Sequence, residues 1–256
     1  MTTAMARLRK RGKAYTWDGE SIPSVTTILR EGFPAPALVT WAARETAGYA
    51  VDCWDQLAQL STSQRLRELE GAAWKRRDAA AVRGTTIHEH GVGLVHGEPV
   101  QVPDELREPV QAYARWLDQW QVVPTITERP VVNPDHGWAG TIDLRANLLG
   151  DQDWLLDLKT GRGVYESHAL QLAAYAHAAW WLREDGELIP WELPFHCGVV
   201  HIRGDECQLI PTDFSERTYR TFRHAAAVAT WAREASQAYR DRRPWPVGLP
   251  LNPPAA

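Results

Sequence analysis

Gly137-Trp-Ala-Gly-Thr-Ile-Asp143-Leu-Arg-Ala146, Asn147-Leu-Leu-Gly-Asp151 and Asp153-Trp-Leu-Leu-Asp157-Leu-Lys159 form the stretch on which the fold turns. Its first and last parts read as strands, and the Asn-Leu-Leu-Gly-Asp between them reads as a turn. Side chains two apart on a strand share a face. Asp157 and Lys159 therefore point one way while Leu156 and Leu158 enter the other layer. If the two strands are neighbours, Asp143 falls beside Asp157, and two close carboxylates repel unless a cation lies between them. Oxygen ligands with room for water suit Mg²⁺ or Mn²⁺.

An Asp-x-Lys on a strand is, by itself, a common surface ion pair. Two observations weigh for a site. The apolar flanks Trp154-Leu-Leu and Leu158 mark a central strand, where unpaired charge is costly. Of 28 basic residues only four are Lys (Lys10, Lys13, Lys75 and Lys159) and the other 24 are Arg. A compact ammonium at 159 is thus a departure from the chain's habit.

Outward from this stretch, residues 123–132 give a further strand, closed by the turn Asn133-Pro-Asp-His-Gly137. Upstream, helical spacing runs from 37 to about 58 and from 63 to about 82. Gly84-Thr85-Thr86 reads as the start of a separate helix carrying His88, ended by Gly97-Glu98-Pro99. Another amphipathic helix spans about 103–121. Before all of these, Asp18-Gly19 is a turn between two short extended pieces. Downstream follow a helix over about 167–183, strands near 197–203 and 206–211, and a helix over about 215–240. This order predicts an α/β chain: a basic arm (1–14), a hairpin and helical portion (15–121), an α/β core (122–243) and a Pro-rich tail (244–256).

The chain has 256 residues, of which 44% are hydrophobic and 23% charged, which excludes fibrous, disordered and disulfide-stapled classes. At this length it buries roughly three quarters of its unfolded surface, so any metal serves chemistry and not stability. The net charge of −4 removes the simplest argument for nucleic-acid binding, but not a local basic surface. Three cysteines (Cys53, Cys197 and Cys207), an odd number without a close pair, read as free thiols of a reducing cytosol. With no signal-peptide pattern and no membrane-length apolar run, the expectation is a cytoplasmic protein with no membrane partner.

Taken in order, the histidine after Gly-Thr, then Gly140-Thr-Ile-Asp143, Leu156-Asp-Leu-Lys-Thr-Gly161 and Gln171-Leu-Ala-Ala-Tyr175 resemble the PD-(D/E)XK nuclease superfamily, and within it the RecB-like exonuclease branch. Ile22-Pro-Ser-Val-Thr-Thr-Ile-Leu29, followed by Leu38-Val-Thr-Trp-Ala-Ala-Arg44, is similar to a stretch in phage-encoded members and in the mitochondrial genome maintenance exonuclease. The resemblance covers about 15–175. It implies a restriction-endonuclease-like core with a central mixed sheet flanked by helices, and a metal-dependent DNA exonuclease acting at single-stranded ends in recombination, repair or phage DNA metabolism.

Carried over by position, His88, Asp143, Asp157 and the backbone carbonyl of Leu158 would hold Mg²⁺ or Mn²⁺, with Glu128 as a looser acidic match. Lys159 would position or activate the attacking water. Gln171 and Tyr175 would support the site and contact the DNA backbone, and Ser24 and Thr26 would contact DNA. Three cysteines cannot hold the four-cysteine iron–sulfur cluster of some relatives, so none is expected.

DNA contacts are further expected from Lys75-Arg76-Arg77, from the basic arm and from Arg240, Arg242 and Arg243. Trp17 and Trp41 are the candidates for base stacking, whereas Trp116, Trp120 and Trp180 read as helical core. Without a P-loop pattern the chain has no motor of its own, so a helicase or recombination protein is an expected partner. A structure-specific endonuclease and a non-catalytic DNA-binding subunit are the alternatives.

Overall fold

The computed structural model describes residues 7–243, apart from the side chains of Ala79 and Ala80. The Pro-rich tail and the first six residues lie outside these. A three-stranded antiparallel sheet comes first, made of β1 (Leu8–Arg11), β2 (Ala14–Trp17) and β3 (Glu20–Ile22). Leu8–Arg11 of the expected basic arm therefore form a strand, and Ala14 begins the next. Leu8 is fully buried beneath it with Tyr15, Val132 and Ala139, and that apolar anchor is what orders the segment.

The helical portion consists of α1 (Val25–Gly32), α2 (Pro36–Asp52), α3 (Trp54–Ala58) and α4 (Thr62–Val95), followed by α5 (Arg107–Gln119). The break expected at Gly84 does not occur, and α4 runs through it for 34 residues. Thr85 and Thr86 turn their hydroxyls back to the Ala81 and Val82 carbonyls instead of capping a new start. Gly84 serves a different end: a Cβ there would lie 3.0 Å from Thr160 Oγ1, and one at Gly91 would lie 3.2 Å from the Tyr113 ring. Both glycines let α4 pass close to the end of the Asp-Leu-Lys strand.

The central sheet holds seven strands in the order β10-β9-β6-β5-β4-β7-β8. They are β4 (Val123–Asn133), β5 (Trp138–Leu148), β6 (Gln152–Lys159), β7 (Trp180–Leu182), β8 (Leu188–Pro190), β9 (His196–Arg203) and β10 (Glu206–Pro211). All neighbours are antiparallel except β6 and β9, whose connection runs through the helix α6 (Glu166–Ala176) and then β7 and β8. The chain is an α/β fold, a mixed sheet flanked by helices. On one face α1, α6 and α7 (Glu216–Arg240) bury Trp138, Ile142, Leu155, Leu172, Val199 and Phe222. On the other, α5 and the end of α4 bury Trp116, Leu144, Leu156, Leu158 and Val200. Each such side chain contributes roughly 1.5–3 kcal/mol.

The helix expected over 167–183 ends at Ala176. Although the alanine-rich sequence favours its continuation, Trp191 Nε1 donates to the Ala176 carbonyl and Ala179 N donates to Val132 of β4. Trp180 and Trp181 thus join the sheet edge as a short strand pairing with Val132 and Val131. Trp180 is exposed there and is not part of a helical core; Trp116 is buried and stacked on Tyr113, and Trp120 lies tilted beside it.

Candidate metal centre

β5 and β6 pair from Leu148↔Gln152 up to Leu144↔Leu156 and then separate. At the fork the next residues are Asp143 and Asp157. The Asp143 carboxylate takes the place of a backbone acceptor, with its Oδ2 2.8 Å from the Leu158 N–H. On the other side of β5, Glu128 lies between the pairs Thr127↔Leu144 and Arg129↔Ile142, with a left-handed φ of 51°. A non-glycine residue in that region inside a strand is rare, and it marks an irregularity opposite Asp143. β5 itself turns over here. Ile142 packs into one core cluster and Leu144 into the other, although plain alternation would put both on one face.

α4 supplies the third group. His88 Nε2 lies 2.9 Å from the Leu158 carbonyl, an oxygen that can only accept, so this nitrogen carries the ring proton. The other ring nitrogen, Nδ1, lies 3.7 Å from Asp143 Oδ2 and carries the lone pair when the ring is neutral. One ligand atom each of His88, Glu128 and Asp143 lies within 4.8 Å of the others. They line a cavity of about 10 Å³ together with Leu158 and Tyr113, room for an ion and not for an organic cofactor. The Tyr113 hydroxyl is buried and has no hydrogen-bond partner among the described residues.

The electrostatics agree with the geometry. Asp143 is held above the usual carboxylate range by desolvation and then by Asp157. Glu128 is pushed up to about 7 by desolvation and then by Asp143, an effect that water at its exposed side chain partly screens. Two clustered acids and one imidazole nitrogen are a donor set that could hold a divalent cation.

Asp157 belongs to the adjoining part of the site. It is 2% exposed; its Oδ1 accepts from Gln171 Nε2 at 2.7 Å, and its Oδ2 is in an ion pair with Lys159, without a well-directed hydrogen bond. Burial alone would lower the Lys159 pKa, but Asp157 and Asp143 outweigh it and the ammonium is held above its ordinary range. Gln171 therefore orients a carboxylate and is no solvated helix residue. Tyr175 is buried against Gly140, where a Cβ would come within 2.3 Å of its ring.

Of the expected metal ligands, His88, Asp143 and Glu128 come together. Asp157 is engaged with Lys159 and Gln171, and the Leu158 carbonyl is engaged by His88. Ser24 caps α1 through the Thr27 N–H, contacts Thr26 at 3.1 Å, and bridges to Ala139, next to the Gly140–Tyr175 contact. Trp41, on α2, is half-buried in the helical portion, and no described contact joins it to the acids.

Each residue of the run Lys75-Arg76-Arg77, one of the basic clusters expected to contact DNA, has an acidic partner: Lys75 with Glu68, Arg76 with Glu45 and Asp52, and Arg77 with Asp78. Trp17 already carries the Arg7 guanidinium, 4.6 Å from its ring centre.

Two histidines escaped the sequence reading. His168 stands three residues before Gln171 on α6, one helical turn away, and His201 pairs in register with Lys159. The spacing of the first was visible in the sequence; the second required the parallel pairing.

No protein-family model and no curated protein matches the chain. Among solved structures it is similar to SSO0001, at 13% identity and a TM-score of 0.39, over 82% of this chain and 75% of that one. No helix among the described residues is long and apolar enough to cross a membrane.

Proposed function

We propose that the protein is a divalent-metal-dependent deoxyribonuclease of the PD-(D/E)XK type, an exonuclease acting at single-stranded DNA ends in the cytoplasm, in recombination, repair or phage DNA metabolism. The observation that carries this reading is the convergence of His88, Glu128 and Asp143 on one ion-sized cavity, beside the Asp157–Lys159 pair. Its place in that superfamily rests on the ordered motifs, which the same residues supply.

When bound, a divalent ion supplies charge stabilisation at the scissile phosphate and eases formation of hydroxide. His88 Nδ1 and the Glu128 and Asp143 carboxylates would hold it. Lys159 remains an ammonium at neutral pH, so it acts as a fixed positive donor to water or phosphate and not as a base. Asp157, bonded by Gln171, fixes the direction of that ammonium. Asp143 has a second task, anchoring the Leu158 N–H, and His88 anchors the Leu158 carbonyl. One peptide segment is thereby clamped between two of the three ligands.

The test is incubation with end-labelled single- and double-stranded DNA, linear and circular, with Mg²⁺, Mn²⁺ or chelator. Metal-dependent loss of linear DNA, abolished in Asp143→Asn and Lys159→Met, is expected. Cutting of circles would make it an endonuclease, and absence of cutting under every condition would leave a DNA-binding subunit.

A further inference from the structure

We propose that Lys10 of β1 holds a DNA phosphate at the ion site, so that the N-terminal sheet forms one wall of the substrate groove. This role rests on the nuclease reading above and adds a substrate-positioning residue to it.

The small sheet divides the basic residues of β1 between two faces. β1 pairs with β2 in the register Leu8↔Trp17 and Lys10↔Tyr15, and β2 pairs with β3 through Tyr15↔Ile22. Residues paired across strands share a face, as do residues two apart along one strand. Leu8, Tyr15, Trp17 and Ile22 therefore lie together, and all four pack with Val132 of β4 and Ala139 of β5. Lys10 is on that same face, whereas Arg9 and Arg11 are on the opposite one. Arg7, just before the strand, is held by Asp18 and by the Trp17 ring.

A charge on a face that packs against another sheet would be costly if it were buried. Lys10 stays exposed because it lies past the apolar patch, at the end nearer the acids. Passing from Leu8 to the Lys10–Tyr15 pair corresponds, on β5, to passing from Ala139 to Thr141: Ala139 packs with Leu8, and the Tyr15 hydroxyl is 2.7 Å from Thr141 Oγ1. Two residues further, about 7 Å along the strand, comes Asp143. Glu128 feels the same cation. Desolvation and then Asp143 push its pKa up, while His88 and Lys10 draw it back.

Among the described residues no acid forms an ion pair with Lys10. Lys159, on the β6 side of Asp143, is paired with Asp157. The acids are thus flanked by a committed lysine at β6 and an uncommitted one towards β4. A divalent ion held by His88, Glu128 and Asp143 would take up the charge of those acids. The free ammonium beside it is then placed for the anionic ligand of that ion, which for a nuclease is a phosphate oxygen.

Binding of a single-stranded oligonucleotide in Ca²⁺, measured over a series of salt concentrations, tests this for wild type, Lys10→Met, Lys10→Arg and Arg9→Met. Each phosphate contacted on a single strand contributes about 0.7 to the slope of log K against log salt. Lys10→Met is expected to lose that much slope and to bind about fivefold more weakly at about 0.1 M salt. Lys10→Arg keeps the charge and should keep the slope. Arg9→Met, one residue away on the outer face, should lose less of both. In cleavage with Mn²⁺, Lys10→Met should act chiefly on KM and Lys159→Met on kcat.

Equal slopes for wild type and Lys10→Met, or equal losses in Lys10→Met and Arg9→Met, with wild type still cutting DNA, would overturn the role of Lys10 alone. A wild type that neither binds nor cuts DNA would overturn the nuclease reading and this role with it.

Discussion

The Asp143 carboxylate sits where β5 and β6 part, with its Oδ2 2.8 Å from the Leu158 amide, in the position a neighbouring strand's carbonyl would otherwise fill. A side chain that replaces a backbone acceptor holds the fork open, and the opened fork exposes the acids to an ion. Asp143→Ala leaves the Leu158 N–H without its partner and should cost about 1–3 kcal/mol. Asp143→Asn keeps an acceptor oxygen and should cost less, while losing cleavage equally. Urea unfolding together with a nuclease assay reads both; equal stability of the two variants would contradict the capping role.

Binding of Mn²⁺ should raise the unfolding temperature. At a concentration a hundredfold above Kd, the gain is about 2.7 kcal/mol for an ion that binds only the folded chain. His88→Ala, Glu128→Gln and Asp143→Asn should each reduce that gain. Lys159→Met should retain it while losing cleavage. Thermal scans with chelator and with Mn²⁺ provide the comparison.

His168 gives a pH signature. Its folded pKa, about 4, lies below the ordinary histidine value of about 6.5, so the unfolded chain takes up this proton first as pH falls. The stability it contributes is present above about 6.5 and is lost progressively from there towards 4. His168→Gln should flatten that part of the stability profile relative to wild type, in metal-free buffer. Parallel profiles for the two proteins would refute the assignment.

Two glycines should respond in opposite directions to the same substitution. Gly140→Ala would drive a methyl group into the Tyr175 ring and should destabilise by about 1–3 kcal/mol. Gly48→Ala, in α2 with open space around it, should stabilise by about 0.5–1 kcal/mol. Melting curves of the two variants decide the matter.

Much of this was legible in the sequence. The strands β4, β5, β6, β9 and β10 stand where extended runs bounded by turn residues put them, because each sends side chains into the core clusters that flank the sheet. Asp143, Asp157, Lys159 and Gln171 could be found because their spacing on strands and helix fixes their faces. The sequence misled where tertiary contacts overrode local preference. Gly84 and Thr85-Thr86 resemble a helix start, yet the glycine answers to Thr160 across the fold. The run through Ala178 and Ala179 favours helix, yet the edge of β4 captures it as strand. Partition of the acids was also hidden. That Glu128 and not Asp157 lies with His88 depends on a left-handed residue inside a strand, which no periodicity reveals.

The unbroken course of α4 joins two parts of the molecule into one lever. From its capped start at Ser61 to His88 the helix extends roughly 40 Å. The far half packs with α2, where Glu45 is clasped by Arg76 of the helix and by Arg162 from the loop that follows Lys159. Had the chain broken at Gly84, the outer helices could swing while His88 stayed in place. As built, tilting them must either bend the rod at its glycines or shift the imidazole, so whatever grips the distal helices also sets the geometry of the ion site.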